Sequence, residues 1–136
     1  MVTRGIALVV GAFYLVTGTW SFFFPNVFYG QIATYAPYNP HLFHDLGAFQ
    51  VGLGLALVLS VALRLALLPA LAAVLGASML HLLAHVEDLR LGGHPATDIP
   101  VLALVAAALA VGTVMEWRRR PTSPSLPKTS PCSSAS

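Results

Sequence analysis

Charge is what this sequence has least of. Only 9% of its 136 residues are Asp, Glu, Lys or Arg, against roughly a quarter in an ordinary soluble domain. With 57% hydrophobic residues gathered into long runs, the chain reads as an integral membrane protein, one domain by length. Cysteine is nearly missing too. Cys132 stands alone, which excludes an internal disulfide and a thiolate metal cluster. Four residues follow it, so it closes no prenylation box. The basic residues are Arg4, Arg64, Arg90, Arg118, Arg119, Arg120 and Lys128, too few and too scattered for a nucleic-acid surface. No nucleophile motif and no phosphate-binding loop is present.

What is there is four apolar spans. The first, residues 5–24, is long enough to cross a bilayer at about 1.5 Å per residue. Arg4 ahead of it would suit a signal peptide. The run is too long for that and lacks a small-residue cleavage site, so it reads as a retained helix. Gly11 and Gly18 share one side of it and would let another backbone approach closely. Pro25 ends the span, and a connection without Lys or Arg follows, crowded with Phe28, Tyr29, Tyr35 and Tyr38 after Phe22–Phe24. This is the pattern of an interfacial aromatic belt, with room for a short surface helix near Val27–Thr34.

Asn39-Pro40 starts the second span, residues 40–65, with Asn as N-cap and Pro at the first helical position. Ala48, Gly52 and Ala56 continue the Asp45 face as a candidate close-packing seam. The third span covers 69–91, opened by Pro69 and stopped by Gly92-Gly93. Its short link to the second makes the two antiparallel neighbours. Thr97 and Asp98 cap the fourth span, 98–117, with Pro100 in its first turn and Arg118–Arg120 as its anchor. The expected fold is an all-α four-helix transmembrane bundle over residues 1–120. Residues 121–136, rich in Pro, Ser and Thr, read as a disordered cytoplasmic tail.

Placing both termini in the cytoplasm puts six of the seven basic residues inside and leaves only Arg90 outside. All five histidines (His41, His44, His81, His85, His94) then fall on the outer side, with Asp45, Glu87, Asp88 and Asp98. His81, His85 and Asp88 lie on one helix face, because positions three and four apart are neighbours. The start of the second span and the end of the third share a depth. His44, Asp45, His81, His85 and Asp88, with His41 as an additional member, therefore form the candidate metal site. Imidazoles with carboxylates suit Zn, Cu, Fe or Ni, and two histidines from different helices would clamp a haem. Beside this stands a structural reading, in which a His–Asp lock joins the second and third spans without any ligand. His94, in a Gly/Pro loop, reads as solvated. Thr17, Thr19 and Ser21 read as bonding within their own helix.

The stretch Gly18-Thr19-Trp20-Ser21-Phe22-Phe23-Phe24-Pro25, with His44-Asp45-Leu46-Gly47-Ala48 and Gly52-Leu53-Gly54, resembles the small four-helix bacterial membrane proteins called DoxX-like. The resemblance runs to about Trp117. It implies the four-helix fold and a bacterial cytoplasmic membrane, and some relatives are linked to sulfur-compound or quinone redox chemistry. The His81/His85 pair belongs to no motif of that family. Three functions are compatible with the sequence. One is a metal- or haem-binding protein for redox or metal handling. Another is a non-catalytic accessory subunit of a larger membrane complex, or a homo-oligomer. The third is an interfacial lipid-modifying enzyme using His–Asp acid–base pairs, which requires a lipid-sized cleft. A transporter is disfavoured because no charged residue sits at a helix centre.

Overall fold

A computed structural model describes residues 1–120. The expected tail, with Lys128 and Cys132, lies outside the described residues. The chain forms α1 (Val2–Phe23), α2 (Pro25–Gln31), α3 (Pro40–Ala62), α4 (Leu67–Glu87) and α5 (Pro95–Arg118). The described residues contain no strand, only an isolated bridge between Tyr35 and Gly92. α1, α3, α4 and α5 are long and apolar enough to cross a membrane. α2 is the expected surface helix, shifted so that Pro25 occupies its first turn.

The helix ends differ from the sequence expectation for identifiable reasons. Asn39 caps α3 as expected, its Oδ1 accepting the His41 N–H. α3 stops at Ala62, not 65, because Arg64 turns to a left-handed φ of 55° and the Leu65 N–H folds back to the Ser60 carbonyl. Pro69 lies in the first turn of α4, where backbone N–H groups have no helical partner to lose. Asp88 is the C-cap of α4, one residue past its last helical position. α5 begins three residues early. His94 is its N-cap, and Asp98 caps from inside by accepting the His94 N–H at 2.8 Å. Pro100 therefore lies in the second turn, not the first.

α1 packs most extensively on α3, and α4 on α5, with the α3–α4 contact thinner. Glycine explains the first pair. A Cβ added to Gly18 would lie 2.9 Å from the Gly47 carbonyl oxygen, and one on Gly54 would lie 2.8 Å from that of Gly11. Two glycines two turns apart on each helix thus face each other in antiparallel register, and the backbones touch. Gly11 and Gly18 behave as the sequence suggested. The seam on the partner helix is Gly47/Gly54, whereas Gly52 meets nothing and the Ala48/Gly52/Ala56 face is exposed.

Met1, Arg64 and Arg118–Arg120 gather at one end of the bundle, hereafter the arginine end. There Glu116 accepts the Thr3 hydroxyl, and Arg119 Nη1 donates to both residues at 3.2 Å, closing α1 onto α5. The packed core fills this half: Ala7, Val10, Leu57, Leu71, Val74 and Leu109. Tyr14 and Ser78, hydrogen-bonded at 2.7 Å, stand at its border. Beyond them, towards the histidines, the two helix pairs part and a space opens.

Candidate functional site

The opening is a cavity of about 580 Å³, within the roughly 300–1,000 Å³ of small-molecule sites. All five helices line it. Phe13 and Trp20 come from α1, Phe43 and Leu46 from α3, Ala84 from α4 and Leu102 from α5. Leu42, Val101 and Ile32 line it while remaining 58%, 46% and 40% exposed, so the cavity is open to the outside beside the start of α3, the start of α5 and the end of α2. Phe28 of α2 is buried above it, edge-on to both Trp20 and Phe43. The aromatic connection is therefore only partly a belt. Phe23 and Phe24 face outward, while Phe28 and Tyr35 form a roof.

Two glycines seat the roof. The loop holding Tyr35 bridges to Gly92, and a Cβ on Gly93 would lie 2.6 Å from the Tyr35 hydroxyl. Both glycines take positive φ, 142° and 73°, which disfavours any other residue. Gly92-Gly93 is thus more than a helix stop; it lets the Tyr35 ring lie against the loop. Burial raises the Tyr35 pKa above the ordinary 10.0, and the Asp98 and Asp88 carboxylates raise it further, so the phenol keeps its proton at neutral pH.

From Tyr35 a chain of polar contacts descends into the cavity. Its hydroxyl lies 3.2 Å from His85 Nδ1, and His85 Nε2 lies 3.2 Å from His81 Nε2. Asp98 Oδ2 is 3.9 Å from His85 Nδ1. Two hydrogen settings satisfy this chain. If the Tyr35 O–H donates to His85, His85 Nε2–H donates to His81 and the remaining His81 nitrogen, Nδ1, carries a proton. If His85 Nδ1–H faces Asp98, His81 donates instead and its Nδ1 is a bare acceptor. The roof therefore determines whether His81 offers a donor or an acceptor.

Of the sequence-predicted site residues, His81, His85 and Asp88 line this cavity. His41 and Asp45 pair with each other on an exposed face of α3, 3.5 Å apart, and His44 packs on the Phe22 ring. None of these three lines the cavity or bonds to His81 or His85. The expected His–Asp contact between α3 and α4 is not made among the described residues; the carboxylate nearest His85 is Asp98 of α5, 3.9 Å away. Among the described residues no three His, Cys, Asp or Glu side chains converge in metal-binding geometry. His94 is exposed, but its backbone N–H is held by Asp98. Thr17 bonds within its helix as expected, to the Phe13 carbonyl, whereas Ser21 crosses to the carbonyl of Phe43.

Three functional candidates were not evident from sequence: Tyr35, Asp98 as a partner of His85, and Gln50. Gln50 is only 7% exposed, lines the cavity, and its Oε1 is enclosed with no hydrogen-bond partner among the described residues. Leaving such a group unpaired costs about 1–3 kcal/mol. The signal that would have found it is the one amide in the apolar run from Leu46 to Leu63. No protein-family model, no curated protein and no solved structure matches the chain, so the geometry of this cavity is what speaks to its role.

Proposed function

We propose that the protein is a membrane-embedded receptor for a small, lipid-soluble molecule, taken sideways from the bilayer into the cavity between the helix pairs. The observation that carries this reading is the cavity itself. It is lined mainly by apolar side chains and is open at Leu42 and Val101; its polar groups are His81, His85, Gln50 and the roof, with the Tyr14 and Thr17 hydroxyls already bonded to Ser78 and the Phe13 carbonyl. A few placed polar groups in an apolar pocket are the usual design of a small-molecule site. The histidine end faces away from the cytoplasm in this reading, since the arginine end carries Arg4, Arg64 and Arg118–Arg120. A structural metal ion would need further ligands beside the His81/His85 pair, and a haem clamp would need histidines from different helices, whereas these two lie on α4 with their Nε2 atoms 3.2 Å apart. Asp98 approaches the Nδ1 side of His85, away from the paired Nε2 atoms.

Trp20 lines the cavity and the other tryptophan, Trp117, lies at the far end of α5, so a Trp117→Phe variant leaves a single reporter. In nanodiscs, N-phenyl-1-naphthylamine is expected to quench Trp20 saturably at one equivalent. Ala84→Phe, which narrows the cavity without adding a second tryptophan, should weaken or abolish that phase. Quenching that rises linearly and equally in both proteins would reduce the cavity to a packing feature.

A further inference from the structure

Resting on the receptor reading, we infer that the ligand is uncharged and carries a hydroxyl group, held between Gln50 of α3 and His81 of α4. The depth of the two residues follows from their neighbours along α1 and α4. Ser78 is tied to Tyr14, and His81 lies three residues further along α4 towards the histidine end, about 4.5 Å by helix rise. Gln50 packs against Gly18, where an added Cβ would meet Gln50 Cβ at 2.8 Å, and Gly18 lies four residues beyond Tyr14, about 6 Å. The carboxamide and the imidazole thus line the cavity at nearly the same level, from different helices.

Both groups are incompletely used. Among the described residues Gln50 Oε1 has no partner although the residue is 93% buried (7% exposed), and the one side-chain hydrogen bond of His81 is that to His85. Each combines donor and acceptor character: the carboxamide has both, and His81 Nδ1 is one or the other according to the setting of the roof. A hydroxyl donates and accepts at once: with His81 Nδ1–H as donor it accepts from His81 and gives its own proton to Gln50 Oε1, and this is the setting in which the ligand pairs both groups. A carbonyl or ether accepts only and leaves Gln50 Oε1 unpaired. Charge is disfavoured at this depth, because among the described residues the acidic side chains lining the cavity, Asp88 and Asp98, belong to its outer end beside the roof and no Lys or Arg lines it. The remaining walls are apolar, so the hydroxyl belongs to a molecule whose body is a ring system or hydrocarbon chain.

The test compares 1-naphthol with 1-methylnaphthalene, a pair of similar shape differing in the hydroxyl. Binding is measured by titration calorimetry on the full chain in nanodiscs, with empty nanodiscs as reference. The wild type is expected to bind 1-naphthol about tenfold more tightly, the value of one good hydrogen bond in an apolar site. Gln50→Leu, with Gln50→Met as the length-preserving alternative, should bring the ratio close to one by weakening 1-naphthol alone. Equal binding of both probes by the wild type, or a naphthol preference unchanged in both variants, overturns hydroxyl recognition and leaves the receptor reading standing. Neither probe exceeding its partition into empty nanodiscs overturns both.

Discussion

Tyr35 is the residue on which the polar chain hangs. Its phenol meets His85 from a loop that neither helix contains, and Gly93 makes room for its ring. Tyr35→Phe is expected to cost about 1 kcal/mol, the loss of one partly buried hydrogen bond, read as a lowered thermal midpoint in detergent. The pH dependence follows from the raised pKa. Below 10.0 the phenol is protonated in both folded and unfolded chains, and its contribution is intact. As the pH climbs through the raised folded value, the unfolded chain has already released the proton and folding stability is lost. Melts repeated above pH 10 should therefore show a fall that Tyr35→Phe blunts. Gly93→Ala should be worse than Tyr35→Phe, because the positive φ alone disfavours a Cβ by about 1–2 kcal/mol and the ring lies in its way. At this scale the sequence disclosed His81 and His85, whose spacing can only place them on one helix face. It concealed Tyr35, because an aromatic residue in a membrane connection already has an ordinary reason to be there. It concealed Gln50 because one amide in an apolar run has no periodicity to betray which way it faces.

Among the elements, the α1–α3 contact is the closest and the most sensitive. A Cβ on Gly47 would lie 2.7 Å from both the Gly18 carbonyl oxygen and the Phe22 backbone nitrogen, atoms that cannot move aside without shifting a helix. Gly47→Ala should destabilise the protein by about 1–3 kcal/mol through overpacking. Gly52→Ala, with nothing within 4 Å, should be neutral or slightly stabilising through helix propensity. Parallel unfolding titrations of the two variants check the pair. The existence of the spans and of a glycine seam was legible, since apolar length and small-residue spacing are properties of one helix. The choice between Gly52 and Gly47/Gly54 was not, because it depends on which face meets α1. The same limit explains Asp45: its position in the helix was readable, but its exposure on a face turned away from α4 was set by the glycine packing on the other side.

For the whole molecule, the decisive feature is the unequal filling of the two halves. Leu71, Leu109 and Val74 close the arginine half, while the histidine half keeps its space beneath a roof made from two loops and α2. Composition announced four crossings; it carries no information on where packing will be incomplete, since that is settled jointly by five helices. The orientation has its own check. In a Cys132→Ser background, a cysteine at His94 should react with a membrane-impermeant maleimide in intact cells, and one at Ala66 only after lysis. The reverse pattern would invert the orientation. The most direct measurement of the central claim locates the bound molecule. With methyl-labelled Leu, Val and Ala in nanodiscs, nuclear Overhauser contacts from 1-naphthol are expected at Ala84, Leu46 and Leu102, which line the cavity. Contacts confined to Leu104 and Leu80, which face outward at 71% and 69% exposure, would place the probe in lipid and contradict the account.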